Sequence, residues 1–276
     1  MLPIDPPQLV LGDVQSTLLL PLVGRAKATA MATLDFTDHM ATQIVSTLRA
    51  SLEPHFQAVD LYSTLCYASR AMKMTNALEE FIRRRPGASV VNVGAGLDTI
   101  FYRVDNGRLR WYDLDLPDVI ALRRKLLPEG PRDTCIAKSL FDATWYDDVA
   151  AGSDGIFMIA GGVLMYYPEP AVRELLCTAA ERFPGAEVIF DVLSTDAVRR
   201  MNAAIAESEG RNVAIRWGID DAAEMCAWSN RIRVLEQTPY FGHVAKHAAW
   251  GEAILNKIRE TEVRNVSSFV HLRFEP

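Results

Sequence analysis

The stretch Ala88-Ser-Val-Val-Asn92-Val-Gly94-Ala-Gly96-Leu-Asp98-Thr99 decides the fold. A short β-branched apolar run ends in two closely spaced glycines, which is typical of a buried strand that turns sharply into a helix. Such a turn lets a ligand approach the main chain at the carboxyl edge of a sheet. The dinucleotide fingerprint places a third glycine where this chain has Thr99, so a pyrophosphate clamp is disfavoured. Two glycines alone also fit an ordinary tight turn of any α/β domain.

Strand-like and helix-like segments alternate from this stretch onward. The predicted strands are 88–93, 109–114, 134–137, 155–160, 186–191, 232–240 and 266–274. The predicted helices between and after them are 117–127, 168–183, 196–209 and one that begins near Asp221. Strands that alternate with helices require crossover connections and therefore predict a parallel sheet. Residues 86–276 are predicted to form this α/β core, with a late helical insertion around 192–230.

The first 85 residues have a different pattern. Helix-compatible stretches at about 14–30, 37–52 and 64–84 have no strand between them, which predicts a helical cap over residues 1–85.

Composition limits the function classes. The chain has 276 residues, 49% hydrophobic and 23% charged, which is ordinary globular composition. A formal net charge of −6 disfavours a dedicated nucleic-acid binder. The four cysteines lie far apart with no CxxC pair, which favours a reducing cytosol over a disulfide scaffold or zinc ribbon. The apolar stretch 18–23 is too short for a membrane span and lacks the charge order of a signal peptide. We therefore expect a soluble, cytoplasmic protein without membrane or nucleic-acid partners.

Two carboxylates follow the glycine turn at a suggestive distance. Asp113 and Asp115 lie 19 and 21 residues after Gly94, at the end of the second predicted strand. A carboxylate there can accept hydrogen bonds from both hydroxyls of a ribose. Asp115 can also cap the helix that opens at Pro117, and the two interpretations are compatible. The combination favours a nucleoside ligand.

Several ordered motifs together resemble a known family. They are Val91-Asn-Val-Gly-Ala-Gly-Leu-Asp-Thr99, Trp111-Tyr-Asp-Leu-Asp-Leu-Pro117, Gly162-Val-Leu-Met-Tyr166, Thr17–Ala26 and Arg216–Asp221. This set resembles the leucine carboxyl methyltransferase family, in particular its bacterial polyketide-type O-methyltransferases. The resemblance implies the seven-stranded, Rossmann-like fold of class I methyltransferases and S-adenosylmethionine as methyl donor. It also implies a carboxylate or hydroxyl oxygen of a small molecule as acceptor, and a place in secondary metabolism.

The resemblance also implies which residues bind the donor. Gly94 and Gly96 would approach its methionine and sugar portion, and Asp115, with Asp113 as a second candidate, would hold its ribose. Arg70 would pair with its carboxylate through a bidentate, charge-assisted contact. Further contacts would come from Ser139 and Leu140 at the adenine, from Gly161 after the fourth strand, and from either Arg25 or Lys27 in the N-terminal helix.

One departure keeps other functions open. Family members usually carry an acid where this chain has Gly161, so a non-catalytic cofactor-binding homologue is an alternative. An NAD(P)-dependent oxidoreductase is a second alternative, disfavoured by Thr99. His243 and His247 are four apart on a helix-like stretch, but the zinc-protease pattern needs Glu where Val244 stands, so we predict no metal site. The sequence does not identify a catalytic residue, and a homo-oligomer is possible.

Overall fold

The computed structural model describes residues 13–150, 154–207 and 214–276. Its sheet has seven strands in the order β3-β2-β1-β4-β5-β7-β6, and only β7 runs antiparallel to its neighbours. The strands are β1 (Ser89–Val93), β2 (Arg110–Asp115), β3 (Asp133–Ala137), β4 (Ile156–Ala160), β5 (Glu187–Leu193), β6 (Ile232–Pro239) and β7 (Ser267–Phe274). The predicted class, an α/β fold with a mostly parallel seven-stranded sheet, is confirmed.

The helices of the described residues cover both faces of the sheet and the region before it. They are α1 (Asp13–Thr29), α2 (His39–Thr47), α3 (Arg49–Ala58), α4 (Leu61–Arg84), α5 (Ile100–Val104), α6 (Pro117–Leu126), α7 (Trp145–Asp148), α8 (Glu169–Arg182), α9 (Thr195–Glu207) and α10 (Glu252–Val263). Short 3-10 turns occur at Leu164–Tyr166, Ala222–Ala227 and Ala248–Trp250. Within the described residues, no helix combines the length and apolar character needed to cross a bilayer.

The central strands are continuous apolar runs because both faces of the sheet are covered. Every residue of β1, β4 and β5 is buried, as expected for parallel strands between two helical layers. Val90 packs into a core with α4, α5 and α10, whereas its neighbour Val91 packs into a core with α7 and α8. The sheet thus has a packed core on each face, and its strand ends reach the carboxyl edge from between these two cores.

Helix α4 connects the helices before the sheet to the sheet itself. The Asp60 side chain caps it by accepting from the Ser63 amide, and it runs for 24 residues to Arg84. Its apolar face packs on the sheet, and α1 packs against it. Arg70 therefore lies on a helix that is fixed by the sheet on one side and by α1 on the other.

Three sequence expectations differ from the structure. The segment expected as one helix at 37–52 is broken at Leu48, and α3 continues to Ala58. Helix α10 had no counterpart in the prediction, although Ile254, Leu255 and Ile258 are helically spaced and pack against one core. The segment 243–247 is a loop and not a helix, so the spacing of its histidines has no helical meaning. The expected end of α9 at position 209 lies outside the described residues.

Candidate donor site at the carboxyl edge of the sheet

The sheet reverses its strand order between β1 and β4, and this is where open α/β sheets bind ligands. The turn after β1 meets the turn after β4 there. Gly94 has a φ of +66°, and a Cβ on it would lie 2.6 Å from Val163 Cγ2. Gly96 has a φ of +48°, and its Cβ would lie 3.1 Å from Leu18 Cδ2 of α1. Both glycines are therefore required by backbone conformation and by close packing around the crevice.

Asp115 lies at the end of β2 beside this turn. One carboxylate oxygen accepts from the Gly96 amide and the other from the Leu116 amide, each at 2.7 Å. Burial raises the pKa of Asp115 above its ordinary value, and the two amide bonds partly oppose that rise. Each oxygen retains a second lone pair, so a ligand with two neighbouring hydroxyls can donate to the same carboxylate.

Arg70 supplies a cation to the opposite end of the crevice. Its Nε donates to Asp191 Oδ2 at 2.9 Å, and Asp191 Oδ1 accepts from the Gly162 amide at 2.6 Å. Asp191 is 2% exposed and the Arg70 side chain 21% exposed. Burial lowers the pKa of Arg70, but the Asp191 carboxylate together with neighbouring tyrosines raises it by more, so the pKa of Arg70 rises overall. The remaining edge of this fixed guanidinium can bind an anionic group.

Apolar side chains line the same edge. Of the large hydrophobic residues that remain exposed, Leu116 follows β2, Phe141 follows β3 and Tyr166 follows β4, at 39–41% exposure. Phe141 packs edge-on against Tyr167, with ring centroids 4.7 Å apart. A flat apolar group can cover these side chains, which would otherwise contact water. The edge thus combines an apolar wall, a carboxylate and a cation.

The predicted adenine pair, Ser139 and Leu140, follows β3 as expected, but the two residues differ in setting. Ser139 Oγ accepts from the Phe141 amide at 3.2 Å, and Ser139 is partly exposed. Leu140 is 7% exposed and packs in the core. Phe141, which the sequence reasoning missed, presents more surface to the crevice than Leu140.

Three of the residues predicted to bind the donor have partners within the protein, and the first is Asp113. Asp113 is fully buried and accepts from Asn92 Nδ2 (3.0 Å) and Trp111 Nε1 (2.9 Å) while pairing with Arg123. Its oxygens therefore face the interior and not the edge.

Both basic candidates in α1 already donate hydrogen bonds within the protein. Arg25 is 5% exposed, and its donors bind Asp38 Oδ2 and the Leu97 carbonyl oxygen. Lys27 Nζ donates to the carbonyl oxygens of Phe56 and Val59, at 2.6 Å each. Both cations are engaged within the protein in this structure, and their part in donor binding stays a prediction.

The two glycines after β4 make room for Arg70. A Cβ at Gly161 would lie 3.4 Å from Arg70 Cδ and 3.0 Å from Met74 Sδ, so an acid there would point at the arginine. Gly162 has a φ of +69°, and a Cβ on it would overlap Arg70 Nη1. In this chain the carboxylate beside Arg70 comes from Asp191, which lies within the fully buried strand β5. The sequence analysis missed Asp191, although an acid after the apolar run 188–190 is a signal that could have found it.

Comparisons with known proteins identify the family. The family model of leucine carboxyl methyltransferase matches residues 14–180, more than half of the chain. The tetracenomycin polyketide synthesis O-methyltransferase TcmP of Streptomyces glaucescens is 31% identical over 125 residues, 45% of this chain and 46% of TcmP. The alignment therefore spans less than half of that relative. The S-adenosyl-L-methionine-dependent methyltransferase dpfgK of Gibberella zeae is 25% identical over 242 residues, 80% of each chain.

Solved structures agree on the fold. A methyltransferase-like protein from Thermobifida fusca superposes with a TM-score of 0.59 at 12% identity, covering 93% of this chain and 94% of that one. A DUF574 family protein from Streptomyces avermitilis gives 0.57 at 13% identity, covering 92% and 97%. Neither predicted alternative, an oxidoreductase or a non-catalytic homologue, gains support from these matches. The predicted class, an S-adenosylmethionine-dependent methyltransferase, is that of the curated relative dpfgK. The chain belongs to the leucine carboxyl methyltransferase family.

Proposed function

We propose that this chain transfers the methyl group of S-adenosylmethionine to a carboxylate oxygen of a small molecule, in secondary metabolism. The observation that carries the proposal is the meeting of the Gly94–Gly96 turn, Asp115 and Arg70 at one edge of the sheet. These groups match the three polar parts of the donor in kind: a backbone turn, an acceptor for ribose hydroxyls and a cation for the amino-acid carboxylate.

Each side chain has a separate task in this arrangement. Asp115 orients the ribose through its two oxygens, and Leu116 and Phe141 cover the base. Arg70, held by Asp191, fixes the amino-acid end. When bound, S-adenosylmethionine supplies an activated methyl group that leaves sulfur as an acceptor oxygen attacks in line. The chain contributes mainly alignment, which for well-oriented partners is worth an effective molarity of about 10⁵–10⁸ M.

The side chains around Arg70 favour a carboxylate acceptor over a phenol. Partial burial of Tyr166 and full burial of Tyr240 raise the pKa of both phenols, so neither is a base near neutrality. His243 Nε2 donates to the Ser69 carbonyl oxygen at 3.0 Å, and its Nδ1 is buried. The two phenols therefore stay protonated near neutrality, and the unpartnered nitrogen of the imidazole is buried. A carboxylate is already ionised at neutral pH and needs no base.

The helices before the sheet are proposed to act as a lid. Leu18 of α1 lies over Gly96, and Arg70 of α4 reaches the turn after β4. Helices over the crevice exclude water from a reaction in which a cation and an anion neutralise each other, which favours the transition state. We assign this role to the predicted cap, residues 1–85, on the basis of its described helices.

The four cysteines are free thiols, which supports a location in a reducing cytoplasm.

The proposal is tested by product analysis. The chain is incubated with methyl-labelled S-adenosylmethionine and a panel of small carboxylic acids and phenols, and the products are identified by mass spectrometry. We expect a labelled methyl ester that mild alkali hydrolyses, since alkali cleaves esters but leaves aryl methyl ethers intact. A labelled product stable to alkali would overturn the carboxylate acceptor. Binding of S-adenosylhomocysteine without any labelled product would favour the non-catalytic alternative.

A further inference from the structure

Two buried arginines hold the backbone of the glycine turn from opposite sides. The first is Arg123 of α6, which is 1% exposed. Its Nη1 donates to the carbonyl oxygens of Gly96 (3.1 Å) and Asp98 (2.7 Å), while its Nη2 lies 2.5 Å from Asp113 Oδ2. One guanidinium thus connects two carbonyls of the turn to a carboxylate inside β2.

The second is Arg25 of α1. Its Nη2 donates to the Leu97 carbonyl oxygen at 2.8 Å, and its Nε donates to Asp38 Oδ2 at 2.9 Å. Asp38 is fully buried and also accepts from Thr99 Oγ1 (2.6 Å) and Arg103 Nη1 (2.7 Å). Three consecutive carbonyls, those of residues 96, 97 and 98, are therefore held by two cations that come from the sheet side and the lid side.

We propose that the pairs Arg123–Asp113 and Arg25–Asp38 are positioning residues for donor binding, acting through the backbone of residues 96–98. This role rests on the proposed donor site. Gly96 is held at both ends, because its carbonyl binds Arg123 and its amide binds Asp115 at 2.7 Å. Fixing Gly96 therefore fixes the carboxylate that is proposed to hold the ribose.

The chemistry of the pairs supports a positioning role over simple stabilisation. A buried ion pair often adds nothing to stability relative to apolar residues of the same volume, because desolvation offsets the attraction. A guanidinium does offer several donors in one rigid plane, which a lysine does not. Lysine at position 123 would keep the charge but could not reach two carbonyls and a carboxylate with the same geometry. Arg123→Lys therefore tests the geometry of these contacts while the charge stays the same.

The test compares Arg123→Lys with a matched control, Arg124→Lys, on the same helix. Arg124 is 48% exposed on its side chain and pairs with Glu129. The dissociation constant of S-adenosylhomocysteine is measured by calorimetry well below the melting temperature. KM for the donor and kcat are measured with the acceptor found above.

For Arg123→Lys we expect the dissociation constant and KM for the donor to rise about tenfold, the effect of losing one charged hydrogen bond. We expect kcat at saturating donor to stay within about threefold, because the reacting groups are untouched. Arg124→Lys should match the wild type in both.

The possible outcomes distinguish the positioning role from the proposed donor site. An unchanged dissociation constant in folded Arg123→Lys, with only a lower melting temperature, would overturn the positioning role alone. No binding by the wild type would overturn the proposed donor and this role with it. If Arg123→Lys does not fold, Arg25→Lys is measured in its place, and there too unchanged affinity would overturn the positioning role.

Discussion

Replacing Arg70 with Met removes the cation at the amino-acid end of the proposed donor site and keeps most of the side-chain packing. In the wild type, Arg70 Nε lies 2.9 Å from Asp191 Oδ2, and the rest of the guanidinium is proposed to bind the donor's carboxylate. A hydrogen bond to a charged group contributes about 1.5–3 kcal/mol, so we expect the dissociation constant of S-adenosylhomocysteine to rise roughly ten- to a hundredfold.

The same change leaves Asp191 without its cation. Removing one partner of a fully buried pair costs about 3–5 kcal/mol. Asp191 is 2% exposed but the Arg70 side chain is 21% exposed, and Asp191 keeps its bond to the Gly162 amide. Water can therefore reach the site from the arginine side, and we expect the free energy of unfolding to fall by about 2–3 kcal/mol.

Calorimetric titration with S-adenosylhomocysteine and urea unfolding measure the two effects separately. Lys73→Gln is the matched control, because Lys73 lies one turn along α4 and pairs with Glu236, whose side chain is 39% exposed. It should leave donor affinity unchanged and cost less than about 1 kcal/mol. An affinity for Arg70→Met within about threefold of the wild type would refute the assignment of Arg70 to the donor.

Three further predictions follow from the same geometry. Asp115→Asn keeps a similar shape but loses a charged acceptor, so S-adenosylhomocysteine should bind about tenfold more weakly by calorimetry, and unchanged affinity would remove Asp115 from the ribose site. Gly162 and Gly185 both have a positive φ, so replacing either with Ala should lower the free energy of unfolding in urea by about 1–2 kcal/mol. Only Gly162→Ala should also weaken donor binding, because its Cβ meets Arg70 whereas that of Gly185 meets nothing, and equal affinities would contradict this. Burial and the neighbouring Asp113 carboxylate raise the pKa of Asp133 to about 7, so the folded state binds a proton that the unfolded state has released. This group's contribution to stability should decline as pH rises from about 4 to about 7, and Asp133→Asn should flatten that part of the stability profile. A wild-type-minus-variant difference independent of pH would contradict it.

The central strands β1, β4 and β5 were predictable because apolar residues dominate each of them and turn residues precede it. The segments at Ala88 and Ala186, each after Pro-Gly, became β1 and β5 within one or two residues. The contact between Asp115 and the glycine turn was predictable for a related reason, since strand ends in a parallel sheet share one edge. Local pattern was enough for these features.

The contacts of charged residues were not predictable, because a long-range partner decides them. Asp113 and Asp115 are two apart in β2, so strand alternation alone places both on the same face, and only the structure shows Arg123 beside Asp113. The sequence does not show that Arg25 and Lys27 have partners. In the structure both donate hydrogen bonds to carbonyl oxygens of distant segments. Asp191 partners Arg70 across 121 positions of chain, a pairing that spacing cannot reveal.

The most direct test of the central claim is a calorimetric titration of the purified chain with S-adenosylhomocysteine, with NAD⁺ titrated in parallel. The account predicts saturable one-site binding of S-adenosylhomocysteine, weakened by Asp115→Asn and Arg70→Met, and no binding of NAD⁺. Binding of NAD⁺ alone, or S-adenosylhomocysteine binding that both substitutions leave unchanged, would contradict it.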